Sequence, residues 1–133
     1  MSELNKIALK ILSNGKGILA ADESNGTMTK RLESVNVPSN PENRLLFRET
    51  LFSSSGMKDF IGGVILYDET INQTSNLKQT IPELISKSGA VPGIKVDTGA
   101  KILAGSHEEK ITEGLDGLRE RLQDYYKLGA RFT

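Results

Sequence analysis

Apolar residues along the chain occur in two patterns: spaced three or four apart, or packed into short continuous runs. Residues 3–13 set Leu4, Ile7, Leu9, Ile11 and Leu12 among polar neighbours, which predicts an amphipathic helix stopped by Asn14-Gly15. Residues 17–22 are apolar and end abruptly in Asp22, as a fully buried strand would. One or two helical turns follow over 27–34, and Pro38 with its Ser/Asn neighbours makes 35–40 a loop. Asn40, Pro41 and Glu42 supply a capping side chain, a first-turn proline and an acid at the dipole's positive end. The helix they start is expected to bury Leu45, Leu46 and Phe52.

A second buried strand is predicted over 61–67, closing on Asp68-Glu69, and residues 70–80 read as polar turns. Residues 82–87 form a short helix stopped by Gly89, and 90–96 a third buried strand that closes on Lys95 and Asp97. A glycine-containing loop leads to Leu115, Leu118, Leu122, Tyr125 and Tyr126, spaced as one helical face. Gly129 ends that helix, and 130–133 reads as the start of another strand.

Alternating buried strands and helices imply a parallel β/α architecture. Two layouts compete, the eight-stranded barrel and the doubly wound open sheet. A barrel takes about eight strand-helix units and ~250 residues. This chain has about half the units, and its last residues, Phe132-Thr133, fall within an apparent strand. The expectation is an incomplete chain, the N-terminal half of a (β/α)8 barrel.

Composition narrows the function classes. The chain has 133 residues with 17 basic and 17 acidic side chains, so the formal charge is zero. Nucleic-acid modules carry a basic excess that is missing here, so no nucleic-acid partner is expected. Disorder needs low hydrophobicity with high net charge, and an apolar share of 37% at zero charge fits neither condition. Absence of cysteine removes disulfides, thiolate nucleophiles and Cys-based zinc sites. The longest apolar run, 60–67, is far short of the ~20 residues of a membrane helix. The first ten residues carry Glu3, Lys6 and Lys10 without the apolar stretch of a signal peptide, so the expected location is cytoplasmic, away from membranes.

Each predicted strand ends in ionisable residues, and strand C-termini form the active face of parallel β/α folds. Alternation puts Ala20 with Asp22, and Gly93 with Lys95, on one side of their strands. A small residue followed by a charge suits the mouth of a crowded barrel. Charges that merely mark where strands meet water are the competing reading, and for Asp68 and Glu69 the better one. Lys95 beside carboxylates suits carbonyl chemistry: burial lowers an ammonium's pKa, and a free amine attacks a ketone to form a Schiff base. A neighbouring carboxylate then moves the proton. The alternative is a lysine that binds phosphate or pairs with Asp97. Ser24-Asn25-Gly26-Thr27, with Lys30 and Arg31 one turn later, has the makings of an anion site, although capping alone produces similar loops.

Other motifs fail on context. Gly15-Lys16-Gly17-Ile-Leu-Ala20 fits a GxGxxA string but precedes its strand, so it is no dinucleotide site. His107, the only histidine, lies in a polar segment that reads as a solvated loop, and one histidine without cysteine leaves little for a catalytic zinc site.

Four ordered blocks carry a family resemblance: Lys16-Gly-Ile-Leu-Ala-Ala-Asp-Glu-Ser24, Gly62-Gly-Val-Ile-Leu-Tyr-Asp-Glu-Thr70, Gly93-Ile-Lys-Val-Asp97 and Gly114-Leu-Asp-Gly-Leu118. Together they resemble the N-terminal part of class I fructose-bisphosphate aldolase, from about Lys6 to the last residue. The resemblance implies that 1–133 is the N-terminal part of a single barrel domain. It implies a glycolytic lyase that reversibly cleaves fructose 1,6-bisphosphate to dihydroxyacetone phosphate and glyceraldehyde 3-phosphate. It further implies a Schiff-base mechanism without metal or other cofactor, and a homo-oligomer when full length.

On that resemblance Asp22 is the active-site aspartate that helps proton transfer around carbon–carbon cleavage. Lys95 is an accessory lysine that neutralises substrate oxygens and interacts with Asp22. Ser24, Thr27 and Arg31 fall on the phosphate-contacting loop and helix, and Arg44 on an arginine sometimes assigned to substrate binding. Thr27 and Thr98 stand where the animal enzymes usually have serine and lysine. Residues alone make Lys95 the candidate Schiff-base amine; the resemblance places that amine, and the main glutamate acid/base, after Thr133. The 133-residue segment alone is therefore expected to be inactive. Two readings compete with the enzyme: a truncated or scaffold protein that keeps half a barrel for binding, and another Schiff-base aldolase lacking the diphosphate contacts around 24–31.

Overall fold

The computed structural model describes all residues, 1–133. Helix α1 (Glu3–Leu12) is capped by Ser2, whose hydroxyl accepts from the Asn5 amide. A 3-10 turn over Ser13–Gly15, with Asn14 left-handed, leads into strand β1 (Gly17–Ala21). Helix α2 (Asn25–Glu33) starts at Ser24 and helix α3 (Pro41–Phe52) at Asn40, whose side chain accepts from the Asn43 amide at 2.8 Å. A short helix α4 (Met57–Phe60) precedes strand β2 (Ile61–Leu66), and a single turn, α5 (Asp68–Ile71), follows it. Helix α6 (Ile81–Lys87) begins in a reciprocal cap between Thr80 and Glu83. Strand β3 (Val91–Ile94), an antiparallel ribbon of β4 (Gly99–Ile102) and β5 (Lys110–Glu113), and helix α7 (Leu118–Leu128) complete the order.

Strands β1, β2 and β3 form a parallel sheet in chain order, and Phe132 makes a parallel bridge to Gly93 as the beginning of a fourth strand. Leu19 and Ala21, Val64 and Leu66, and Ile94 face one side, where Phe52, Ile81, Ile85 and Tyr125 pack onto them in a single core. The helices after β1, β2 and β3 thus cover the same face. The opposite face carries Ile18 and Ala20 exposed and Ile65 half-buried. A doubly wound sheet has helices on both faces, so one-sided cover selects the barrel-wall layout. Helix α1 lies across the starts of the strands. A Cβ on Gly62 would fall 1.8 Å from the Ile11 carbonyl oxygen, so that approach of backbone to backbone requires glycine.

Several expectations change. Leu46 is exposed, and the buried face of α3 consists of Arg44, Arg48, Glu49 and Phe52. Leu115 and Tyr126 are exposed and only Tyr125 of the predicted stripe is buried, because α7 reaches the sheet near its C-terminal end. Within the segment read as a glycine-containing loop, β4 and β5 pair, with His107 exposed in the connection between them. No helix is long and apolar enough to cross a membrane.

Candidate active site

The C-terminal ends of β1 and β3 open onto a cleft of about 450 Å³ lined by Ala20, Asp22, Glu23, Ser24, Thr27, Arg31, Lys95, Asp97 and Gly99. Parallel pairing explains why these residues meet. Ala21 pairs with Leu66, and Leu66 with Ile94. One residue further along each strand, Asp22, Tyr67 and Lys95 stand abreast on the helix-free face. The Lys95 amide still donates to the Leu66 carbonyl at 2.9 Å, which holds this register at the rim.

Lys95 Nζ lies 2.6 Å from Asp97 Oδ2 and 3.9 Å from Asp22 Oδ2. The hydrogen bond that the Lys95 ammonium donates to Asp97 raises the Lys95 pKa above its ordinary value, against an opposing burial effect, and the same bond lowers that of Asp97. Lys95 is therefore a held ammonium ion. Of the readings the sequence leaves open for Lys95, the pairing with Asp97 is present in this geometry, and a cation so held can also meet a substrate oxyanion or phosphate.

Ser24 turns the strand end into helix α2: its hydroxyl accepts the Thr27 amide at 3.4 Å and sits 3.3 Å from the Thr27 hydroxyl. Arg31, one turn on and half exposed, pairs with Glu23. Two hydroxyls, a helix N-terminus and a half-exposed cation thus face the space beside the Lys95 ammonium, a combination suited to an oxyanion or phosphate.

Arg44 is not part of this cleft. Its Nε and Nη2 form a fork on Glu69 at 2.8 and 2.7 Å, Nη1 donates to the Ser39 carbonyl, and only about a tenth of the side chain is exposed. Asn25 adds a third bond to Glu69 at 3.1 Å. The Arg44 hydrogen bonds hold the Glu69 carboxyl below the usual carboxylate range despite burial. Asp68 accepts the Tyr125 hydroxyl at 2.8 Å. These two acids, read from sequence as strand-end charges meeting water, bind α3, α2 and α7 to the end of β2.

Sequence reasoning also passed over Arg48, which is fully buried beneath the cleft. The available signal was its spacing: Arg44, Arg48 and Phe52 recur every four residues on the face that also carries Leu45.

A profile of the family described as fructose-bisphosphate aldolase class-I matches residues 3–133. The "Probable fructose-bisphosphate aldolase class 1" of Xylella fastidiosa is 48% identical over 133 residues, all of this chain and 40% of that protein. "Fructose-bisphosphate aldolase 5, cytosolic" of Arabidopsis thaliana is 50% identical over 131 residues, 98% of this chain and 37% of the relative. The fructose-bisphosphate aldolase of Plasmodium falciparum, solved in complex with TRAP and a small molecule inhibitor, superimposes with a TM-score of 0.93 at 45% identity. That match covers 98% of this chain and 38% of the other. The chain therefore spans about 40% of the length of such relatives. Its β/α wall is the N-terminal half of a (β/α)8 barrel, and the chain belongs to the class I fructose-bisphosphate aldolase family.

Proposed function

We propose that the complete protein reversibly cleaves fructose 1,6-bisphosphate to dihydroxyacetone phosphate and glyceraldehyde 3-phosphate through a Schiff base, without a metal. Residues 1–133 then form the N-terminal part of one barrel domain, and a lysine on a later strand supplies the amine. The arrangement that carries this reading is the Lys95 ammonium held between Asp97 and Asp22, beside the Ser24–Thr27–Arg31 loop.

The roles follow from charge and position. When the substrate's C2 carbonyl has become an iminium with loss of water, breaking the C3–C4 bond sends its electron pair toward that iminium. The C4 hydroxyl must lose its proton as the aldehyde leaves. Asp22, at the strand end, assists that proton transfer. Lys95, kept charged by Asp97, stabilises negative charge on substrate oxygens. Ser24, Thr27 and Arg31 hold a phosphate, with Arg31 exchanging Glu23 for the stronger anion. Arg44, occupied by Glu69, shapes the loop without touching substrate. The same reading places the protein in the cytoplasm, in keeping with the plant relative named cytosolic, and makes the complete protein a homo-oligomer.

The test is a coupled assay for dihydroxyacetone phosphate on the complete protein, with and without a chelator. Turnover of about 1–10³ s⁻¹, unchanged by chelation, is expected. Absence of cleavage, or its loss with chelator, would overturn the reading.

A further inference from the structure

Beneath the cleft, on the helix side of the sheet, lies a guanidinium that no step above uses. Arg48 comes from the middle of α3 and is fully buried. Its Nη2 donates to the Glu23 main-chain carbonyl at 2.5 Å and its Nη1 to the Thr70 hydroxyl at 2.7 Å. The guanidinium carbon stands 5.9 Å from the centre of the Tyr67 ring, and Glu23 Oε2 lies 3.9 Å from Nη2.

These partners share a location. The β1–β2 ladder ends at Ala21 and Leu66, so the Glu23 carbonyl lies past the last strand pairing. Arg48 supplies the donor that a strand no longer offers. One planar fork thereby fastens the peptide between Glu23 and Ser24 to the first residues after β2. That peptide joins Asp22, one residue before it, to Ser24, the cap of α2. Replacing a buried ionic group by an apolar side chain of similar volume is often neutral or stabilising. Stability alone thus gives little reason for an arginine here, whereas a two-pronged clamp needs its rigid fork.

We propose that Arg48 is a positioning residue for Asp22, fixing the end of β1 against β2 so that the Asp22 carboxylate faces Lys95. The proposal rests on the aldolase reading of the cleft, because Asp22 must have a proton to move for its placement to matter.

The test is a double-mutant cycle in the complete protein, with Arg48→Met, Asp22→Asn and the pair. Misplacing a reacting group by about 1 Å costs up to about 10²-fold. Arg48→Met is expected to lower kcat by about 10-fold or more while KM for the bisphosphate changes less than about 2-fold. In the Asp22→Asn background the same substitution should change kcat by less than about 2-fold, since the group it positions is gone. Arg48→Lys keeps the charge but loses the fork, and should leave kcat lowered as in Arg48→Met. Wild-type kcat in Arg48→Met, equal losses in both backgrounds, or full recovery by lysine would each overturn the proposal. Should Arg48→Met fail to fold, Thr70→Val removes one prong; a loss in kcat of about 3-fold or more is expected, and wild-type kcat there would overturn the proposal. Inactivity of the wild-type protein would instead count against the aldolase reading, so the two failures are distinct.

Discussion

Glu69→Gln isolates the ion pair that ties α3 to the end of β2. In the native chain Arg44 presents two donors to the two Glu69 oxygens at 2.8 and 2.7 Å, with Asn25 donating to one of them. Glutamine keeps one acceptor and turns the other into a donor aimed at a guanidinium or at the Asn25 amide. Arg44 is then left as a cation about one tenth exposed, with one acceptor at position 69 instead of a charged pair, besides its bonds to Ser39. Removing one member of a buried pair costs about 3–5 kcal/mol. Glu69 is about a fifth exposed, which allows water to screen the loss, so we expect about 2–3 kcal/mol at pH 7. The pH dependence has a definite sign. The folded Glu69 pKa is depressed, chiefly by the Arg44 hydrogen bonds, so its contribution is fully present above the unfolded value of about 4.3. It fades as the pH falls below that value and through the folded pKa. Urea unfolding of wild type and variant, followed by circular dichroism from pH 7 to pH 3, should show a constant difference down to about pH 5 that then narrows. A difference below about 1 kcal/mol at pH 7 would place the pair among weak surface bridges and refute the argument. So would a difference that persists unchanged to pH 3.

Three further outcomes are expected in the complete protein. Asp22→Asn should lower turnover by about 10²-fold or more, as loss of a positioned acid/base group does, and near-normal turnover would remove Asp22 from proton transfer. Arg31→Ala should raise KM for the bisphosphate far more than for fructose 1-phosphate, because one charge-assisted contact contributes about 1.5–3 kcal/mol; equal changes would make Arg31 structural. Gly62→Ala should destabilise by more than about 3 kcal/mol, read as a lowered denaturation midpoint, since the added Cβ meets the Ile11 carbonyl and α1 must move away from the sheet.

Legibility followed burial. Strands β1, β2 and β3 are short continuous apolar runs, the pattern of a wall that a complete barrel covers on both faces, and continuous runs ending in a charged residue are easy to see. The ribbon of β4 and β5 was hidden because nearly every residue in it is exposed, so no alternation of apolar and polar positions marks it. The helix of residues 118–128 was visible, but its apolar spacing overstated its packing: Leu122 and Tyr126 remain exposed beside Tyr125. At the site, strand alternation brought Asp22 and Lys95 to one rim, and loop chemistry brought Ser24, Thr27 and Arg31 beside them. The protonation state of Lys95 was not legible. It depends on whether burial or the Asp97 hydrogen bond dominates, and that balance is set by a distance of 2.6 Å. The interior packing of Arg44, named by resemblance only as a substrate-binding arginine, and Arg48 altogether escaped for a related reason: charged residues on a helix read as its solvated side, whereas here they fill the interior between α3 and the end of β2.

The central claim is that Lys95 works as a charged partner of Asp22 while another lysine forms the covalent bond to substrate. Borohydride reduction with dihydroxyacetone phosphate, followed by peptide mass mapping, tests it directly. On the complete protein the account predicts one stoichiometric adduct, on a lysine after Thr133, with the peptide containing Lys95 unmodified; residues 1–133 alone should give no adduct and no cleavage. An adduct on Lys95 in either preparation, accompanied by cleavage, would contradict the account.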